Sequence, residues 1–277
     1  MPIIHIDDDF DLEKIQRSGQ CFRVKNLYGG YYQFIHGRHV LLIKPAGCGQ
    51  FNVSVTEQAW EQIWASYFNL ERNYRAARAV IPQEDAFLQE AAAAGAGIRI
   101  LRQDPYEMLL TFVISQRKSI PAITSIVEAV SEEFGATTMS GGAKAFPTLK
   151  RSAELTNDFV WDEFGAGYRA PYLAAIVSAA RRGEVDFEAL AALPTDELLA
   201  SLMKLPGVGI KVASCVALFG FGRHEAAPVD TWMQRIFDTY YGGETPSWMK
   251  GADAGILQQY VFYWALQNKK TLKALSR

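Results

Sequence analysis

Apolar and polar positions change rhythm once along this chain. Between Gln20 and Val55, short runs rich in aromatic and β-branched residues (CFRV, YYQFIH, HVLLIK and FNVSV) alternate with the punctuation NLYGG, GR and PAGCG. Such runs between turn signals predict an antiparallel sheet. From Thr56 onward apolar residues recur at helical spacing, and no second strand-rich region follows. The pattern predicts helices over about 57–69, 84–95, 105–116, 119–134, 171–182, 195–204, 210–220, 231–241 and 252–267. The fold class expected is α+β, with a small N-terminal antiparallel β domain over 1–82 and a mainly α-helical region over 83–277. Within it, EAAAAGAGI has the composition of a helix reaching its stop at Gly95.

One helical stretch has a turn worth dissecting. TDELLASLMKL offers Thr195 as an N-cap and places Leu198, Leu199 and Leu202 on one face; LPGVG follows, and Ile210 to Phe219 is again apolar at helical spacing. The unit is a helix, a hairpin and a helix. Gly207 and Gly209 permit a tight backbone, and the amides of Gly207, Val208 and Gly209, opening a helix, form a nest suited to a phosphate. Lys211 falls in the first turn of that second helix, where the partial positive charge of the helix terminus makes a poor home for a cation. It is either snorkelling to solvent or held there for a purpose.

Farther along, Pro228 halts the chain in APVDTWMQRI and Asp230 precedes another amphipathic helix as its N-cap. An amine and a fixed carboxylate together describe cleavage of an N-glycosidic bond. The amine attacks the sugar carbon, the carboxylate stabilises the cationic sugar, and the amine goes on to form a Schiff base. Taken singly, the plainer readings (a tight link, a surface lysine, a capping aspartate) are preferred; jointly they explain the arrangement less well.

Composition narrows the setting. The chain has 277 residues, 49% of them hydrophobic, enough to bury a sizeable core. Its net charge of −2 and pI near 6.1 argue against coating nucleic acid through bulk charge, so a DNA-facing surface has to be local. Three cysteines, Cys21, Cys48 and Cys215, are too few and too dispersed for a disulfide framework, a structural zinc or a four-cysteine iron–sulfur cluster. No apolar run approaches the length of a membrane span, and MPIIHIDDDFD is acidic where a targeting signal is basic. A cytoplasmic location is expected, nucleoid-associated in a prokaryote. The tail NKKTLKALSR, with Lys269, Lys270, Lys273 and Arg277, reads as a solvated basic terminus.

LPGVGIKVASC followed by PVDTW, together with SGQCFR, YFNLERNY, IRILRQDPYEMLLTFVIS and FGAGYRAPY in the same order, resembles the 8-oxoguanine DNA glycosylases of the helix-hairpin-helix (HhH-GPD) superfamily. The likeness spans nearly the whole chain. It implies a glycosylase with lyase activity acting on double-stranded DNA that contains an oxidised purine, as a monomer, without a cofactor and away from membranes. The cysteine count excludes the iron–sulfur branches of the superfamily, and a metal ion bridging the hairpin to phosphate is left open.

The resemblance also implies roles. Lys211 matches the nucleophile and Asp230 its electrostatic partner. Gly19 matches a glycine whose carbonyl accepts the N7–H of 8-oxoguanine, Cys215 and Phe262 match the two walls that sandwich the base, and Gln258 matches the reader of its Watson–Crick edge. Lys211 and Cys215 are i, i+4, as are Gln258 and Phe262, so each pair shares a helix face. Gly207, Val208 and Gly209 match the phosphate clamp, and Tyr168 and Arg169 match residues at the DNA kink and beside the orphaned partner base.

Three positions depart from the family pattern. Arg117 stands where the family has an asparagine that fills the gap left by the extruded base, and Ala122 where many members have an arginine that reads the opposite cytosine. Trp232 replaces a histidine that contacts phosphate. Weaker or different opposite-base selectivity is therefore expected. Two other readings are weighed: a monofunctional alkylpurine glycosylase, which Lys211 speaks against, and a non-catalytic helix-hairpin-helix module that binds DNA without turnover.

Overall fold

The computed structural model describes residues 1–275. In chain order come β1 (Ile3–His5), α1 (Leu12–Arg17), β2 (Val24–Asn26), β3 (Tyr32–His36), β4 (His39–Gly47) and β5 (Gln50–Val53). A helical stretch follows, built from α2 (Glu57–Ala59), a π-helical segment over Trp60–Trp64 and α3 (Ala65–Tyr67). Next are α4 (Tyr74–Ala79), α5 (Ala86–Gly95), α6 (Pro105–Ile114), α7 (Ile120–Phe134), α8 (Asp158–Glu163), α9 (Ala170–Arg181) and α10 (Phe187–Ala192). The chain continues through α11 (Thr195–Leu202), α12 (Ile210–Phe219), α13 (Thr231–Tyr240), α14 (Ala254–Gln267) and α15 (Lys269–Leu275).

The strands form one antiparallel sheet in the order β1-β5-β4-β3-β2, with Ile3 opposite Asn52, Ile43 opposite Val53 and Val24 opposite Phe34. Phe34, Leu41, Ile43 and Val53 point to its buried face. The α+β class is as expected, and the predicted helices are found to within a few residues. Strand β1 has three residues, too short for an alternation to register, and the run CFRV pairs only from Val24. The short helices α1, α4, α8 and α10 also escape a periodicity window, yet each is announced by an acidic or amide cap: Asp11, Asn73, Asn157 and Asp186 accept from first-turn amides. Thr195 is not the cap of α11. Pro194 occupies that place with φ −55 and ψ 153, and Thr195 is the first helical residue, because the ring fixes the extended entry one position early.

The chain condenses into two compact units made of interleaved stretches, a different division from an N-terminal domain over 1–82 followed by a helical region over 83–277. The first unit comprises Met1–Cys21, Ile43–Arg102 and Gly222–Arg277; the second comprises Phe22–Leu42 and Gln103–Phe221. In the first, α5 packs tightly on α14: a Cβ on Gly95 would lie 2.5 Å from a ring carbon of Tyr260, so Gly95 serves close approach as well as the helix stop. Buried Arg99 ties its loops by donating to the carbonyls of Phe68, Asp9, Asn69 and Arg72 and to the Asp8 carboxylate. In the second, α12 packs on α6 and α11, with Leu109, Val113, Leu198, Leu202 and Val216 fully buried. No helix among the described residues is long and apolar enough to cross a membrane.

Candidate active site

The second unit carries Lys211, Cys215, the hairpin glycines, Arg117, Tyr168 and Arg169; the first carries Gly19, Asp230, Gln258 and Phe262. In the second unit, Gly207 adopts φ 74, and a Cβ there would meet the Tyr172 ring at 2.4 Å. Both conformation and space therefore require glycine. Gly209 is the N-cap of α12, in extended conformation, without a side-chain cap and with open space around its Cα. The hairpin amides are not equivalent, because the Val208 N–H turns inward to the Leu205 carbonyl at 3.2 Å and its side chain is buried. Gly207 and Gly209 keep amides with no partner among the described residues, which leaves the helix N-terminus able to receive an anion.

Lys211 sits in the first turn of α12, half-buried, with its Nζ 5.4 Å from the centre of the Phe112 ring. That ring stacks on Phe219 at 5.4 Å and meets Phe22 edge-on at 6.3 Å. An aromatic face of this kind attracts and orients a lysine head group without a carboxylate partner. One turn on, Cys215 is buried and outside any disulfide.

Two further turns of this unit are tied to the hairpin. Gln116 Nε2 donates to the Gly207 carbonyl at 3.0 Å, while the Gln116 carbonyl accepts from Arg169 Nη2. Arg169 is buried, also donates to the Ala166 carbonyl at 3.0 Å, and lies 4.1 Å over the ring of Tyr168. Tyr168 itself is 52% exposed, and Arg117 is exposed at a left-handed φ of 51. Sequence reasoning missed Gln116, since nothing in the polar run SQRKS singles it out.

In the first unit, Asp230 caps α13 as predicted: Oδ1 accepts from the amides of Trp232 and Met233, both at 2.9 Å. Gly19, at φ 77, lies between Ser18 and Gln20, both fully buried. Gln20 bonds the Ser18 hydroxyl and the Arg99 carbonyl at 2.9 Å and accepts from the Leu101 amide at 2.8 Å. Gln259 Nε2 donates to the Ser18 carbonyl at 2.6 Å and so binds the Gly19 turn to α14. On that helix Gln258 is only 4% exposed, and its Oε1 has no hydrogen-bond partner among the described residues. An orphaned acceptor at such depth is costly unless a ligand supplies the donor. Phe262 stays half-exposed between buried Val261 and Tyr263. The missed residue here, Gln259, had a signal: a polar QQ pair inside the apolar ILQQYVFYWAL.

Trp232 is half-exposed, with Arg235 at 5.1 Å and Lys269 at 5.9 Å from its ring. Arg277 and the side chain of Lys273 lie outside the described residues. No group of three or more His, Cys, Asp or Glu side chains able to hold a metal ion occurs among the described residues.

Comparison with known proteins gives a consistent result. Residues 3–109 match the family model described as 8-oxoguanine DNA glycosylase, N-terminal domain. The N-glycosylase/DNA lyase OGG1 of Arabidopsis thaliana is 30% identical over 80% of this chain, which spans 64% of that relative's length. A probable N-glycosylase/DNA lyase of Methanothermobacter thermautotrophicus is 28% identical, with 85% of this chain and 84% of the relative covered. Among solved structures, the 8-oxoguanine glycosylase/lyase of Clostridium acetobutylicum, in complex with double-stranded DNA containing cytosine opposite 8-oxoguanine, superposes with a TM-score of 0.88 at 31% identity. That match covers 97% of this chain and 99% of the other. A 3-methyladenine DNA glycosylase from Archaeoglobus fulgidus shares the fold, with a TM-score of 0.74 at 17% identity over 95% of this chain and 98% of the other.

Proposed function

From the premise that this chain belongs to the 8-oxoguanine DNA glycosylase family, we propose that it removes 8-oxoguanine from duplex DNA and then cleaves the strand as a lyase. The observation that carries the reading is Lys211, placed by the glycine hairpin in the first turn of α12 and set over the Phe112 ring. A damaged base cannot be attacked inside the stack, so it is first extruded. The hairpin amides of Gly207 and Gly209 hold the backbone phosphate, and Tyr168 and Arg117 occupy the distorted duplex, while Arg169, matched to a DNA-contacting residue by sequence, is buried behind Tyr168 and supports it.

Cys215 and Phe262 are the side chains assigned to stacking on the extruded base. Gln258 Oε1, buried and unpartnered, accepts from the N1–H and N2–H donors that a guanine-type edge presents. The Gly19 carbonyl accepts N7–H, which 8-oxoguanine has and guanine lacks, so one acceptor attracts the lesion and repels the normal base. The lone pair of the Lys211 amine attacks C1′; the C1′–N9 bond breaks, and the base leaves with that bond's electron pair and takes up the proton shed by the attacking nitrogen. Asp230 stabilises the cationic sugar that develops. Opening of the sugar gives a Schiff base to Lys211, loss of a C2′ proton breaks the C3′–O bond, and water releases the enzyme. The chemistry is written with side chains alone, by a monomer, and needs no cofactor.

Borohydride reduction during turnover on an 8-oxoguanine duplex is expected to trap a covalent complex. Lys211→Gln is expected to give no trapped complex and to lower excision roughly a thousandfold, about 4 kcal/mol of activation free energy. Excision that survives in Lys211→Gln makes water the nucleophile, as in a monofunctional glycosylase. Tight binding by the wild-type protein with no base release reduces it to a DNA-binding module.

A further inference from the structure

The loop after α6 stands at a junction that neither the hairpin motif nor the base pocket accounts for. The side chain of Gln116 reaches the hairpin, at the Gly207 carbonyl 3.0 Å away, and its own carbonyl takes the Arg169 guanidinium from the 165–169 turn. Two residues on, Lys118 Nζ donates to the Gly165 carbonyl at 2.9 Å, a second tie to the same turn. Between these tethers Arg117 is exposed and held at φ 51, a conformation that disfavours a long side chain.

The bond to Gly207 does more than fasten a loop. A trans peptide is planar, so its carbonyl and N–H point in opposite directions and move together. The peptide joining Gly207 to Val208 is gripped on one side by Gln116 and on the other by the Leu205 carbonyl, which accepts the Val208 N–H at 3.2 Å. With that plane held, rotation about the bonds flanking it is restricted, which restrains the amides of Gly207 and Gly209 on either side. The hairpin's donor geometry and the placement of Arg117 thus depend on the same residue.

We infer that Gln116 is a positioning residue that couples the phosphate clamp of the hairpin to the Arg117 tip, so that engagement of one presets the other. This rests on the reading that the hairpin holds phosphate and that Arg117 enters the distorted duplex. Coupling predicts non-additivity, which a merely structural glutamine does not.

The test is a double-mutant cycle on a duplex carrying an uncleavable tetrahydrofuran abasic analogue. Gln116→Met keeps the length and loses the donor, and Gln116→Leu is the second variant in case the first folds poorly. In the wild-type background Arg117→Ala is expected to weaken binding about tenfold, and in the Gln116→Met background only about twofold. The slope of log affinity against log salt is expected to fall by about one phosphate contact in Gln116→Met. Equal effects of Arg117→Ala in both backgrounds with an unchanged slope overturn the inference, even where the melting temperature drops, and leave the functional reading standing. Wild-type binding that responds neither to salt nor to Arg117→Ala overturns both.

Discussion

The two units present their candidate residues in opposite ways. In the first, Gly19 sits between buried, fully bonded neighbours and Gln258 faces inward with an unmet acceptor. In the second, the amides of Gly207 and Gly209, Arg117 and Tyr168 face outward, and apart from Cys215 what is buried is the scaffolding that aims them, notably Arg169 and Val208. The contrast follows from the tasks proposed for each. Discriminating one base from another needs desolvated polar groups, for which a missing partner is expensive. Gripping a phosphate backbone needs accessible donors and carries no base information. Selectivity and grip are therefore separable by mutation.

The largest separation is expected at Asp230. Asparagine caps a helix as well as aspartate does, so Asp230→Asn keeps both amide bonds of α13 and its fold. It loses only the charge. Single-turnover excision is expected to fall about 10² to 10³-fold while duplex affinity and melting temperature hold. Asp230→Ala is expected to add a stability loss of about 1 kcal/mol from the missing cap. Full excision by Asp230→Asn removes the carboxylate from the chemistry.

Gln258 and Gly207 then form a crossed pair. Gln258→Leu deletes a buried acceptor that has no partner among the described residues, so stability is expected to stay level or rise. The kcat/KM for the lesion is expected to drop about 10- to 100-fold, with affinity for undamaged duplex unchanged. Gly207→Ala should do the reverse. It forces a Cβ into a left-handed residue against Tyr172, costing about 1–3 kcal/mol of stability and weakening binding to any duplex, while the preference for lesion over guanine survives. The comparison between units breaks if the two variants lose grip and selectivity in the same proportion.

What was legible in the sequence divides along the same line. The hairpin is a local device: glycine spacing, the helix that follows and the lysine in its first turn lie within one short stretch, so their geometry is written in neighbouring letters. The Asp230 cap was legible for the same reason. Long-range bonds were not. Gln116 to Gly207 and Gln259 to Ser18 join residues far apart in the chain, and a glutamine in a polar run looks the same whether it faces solvent or a carbonyl. The inward turn of the Val208 amide was hidden too, because a glycine pair announces a tight turn without specifying which amides it leaves free.

The smallest expected effect tests two of the three departures from the family, Ala122 and Arg117. Ala122 lies half-buried in the first turn of α7, its amide on the Ser119 cap at 3.4 Å, and has no donor for a partner base. Arg117 supplies several donors, but from an exposed tip rather than a fixed pocket, so it favours no one base strongly. Excision opposite the four bases is expected to vary by less than about tenfold, within the 1.4 kcal/mol that one loosely held contact supplies. Ala122→Arg is expected to raise the cytosine preference. Arg117→Asn restores the family's residue and relieves the left-handed strain, since asparagine tolerates that conformation better, with a gain of up to about 1 kcal/mol in stability. If the wild-type protein already prefers cytosine by orders of magnitude, a group other than residue 122 reads the partner base, and the second unit is then more than a grip.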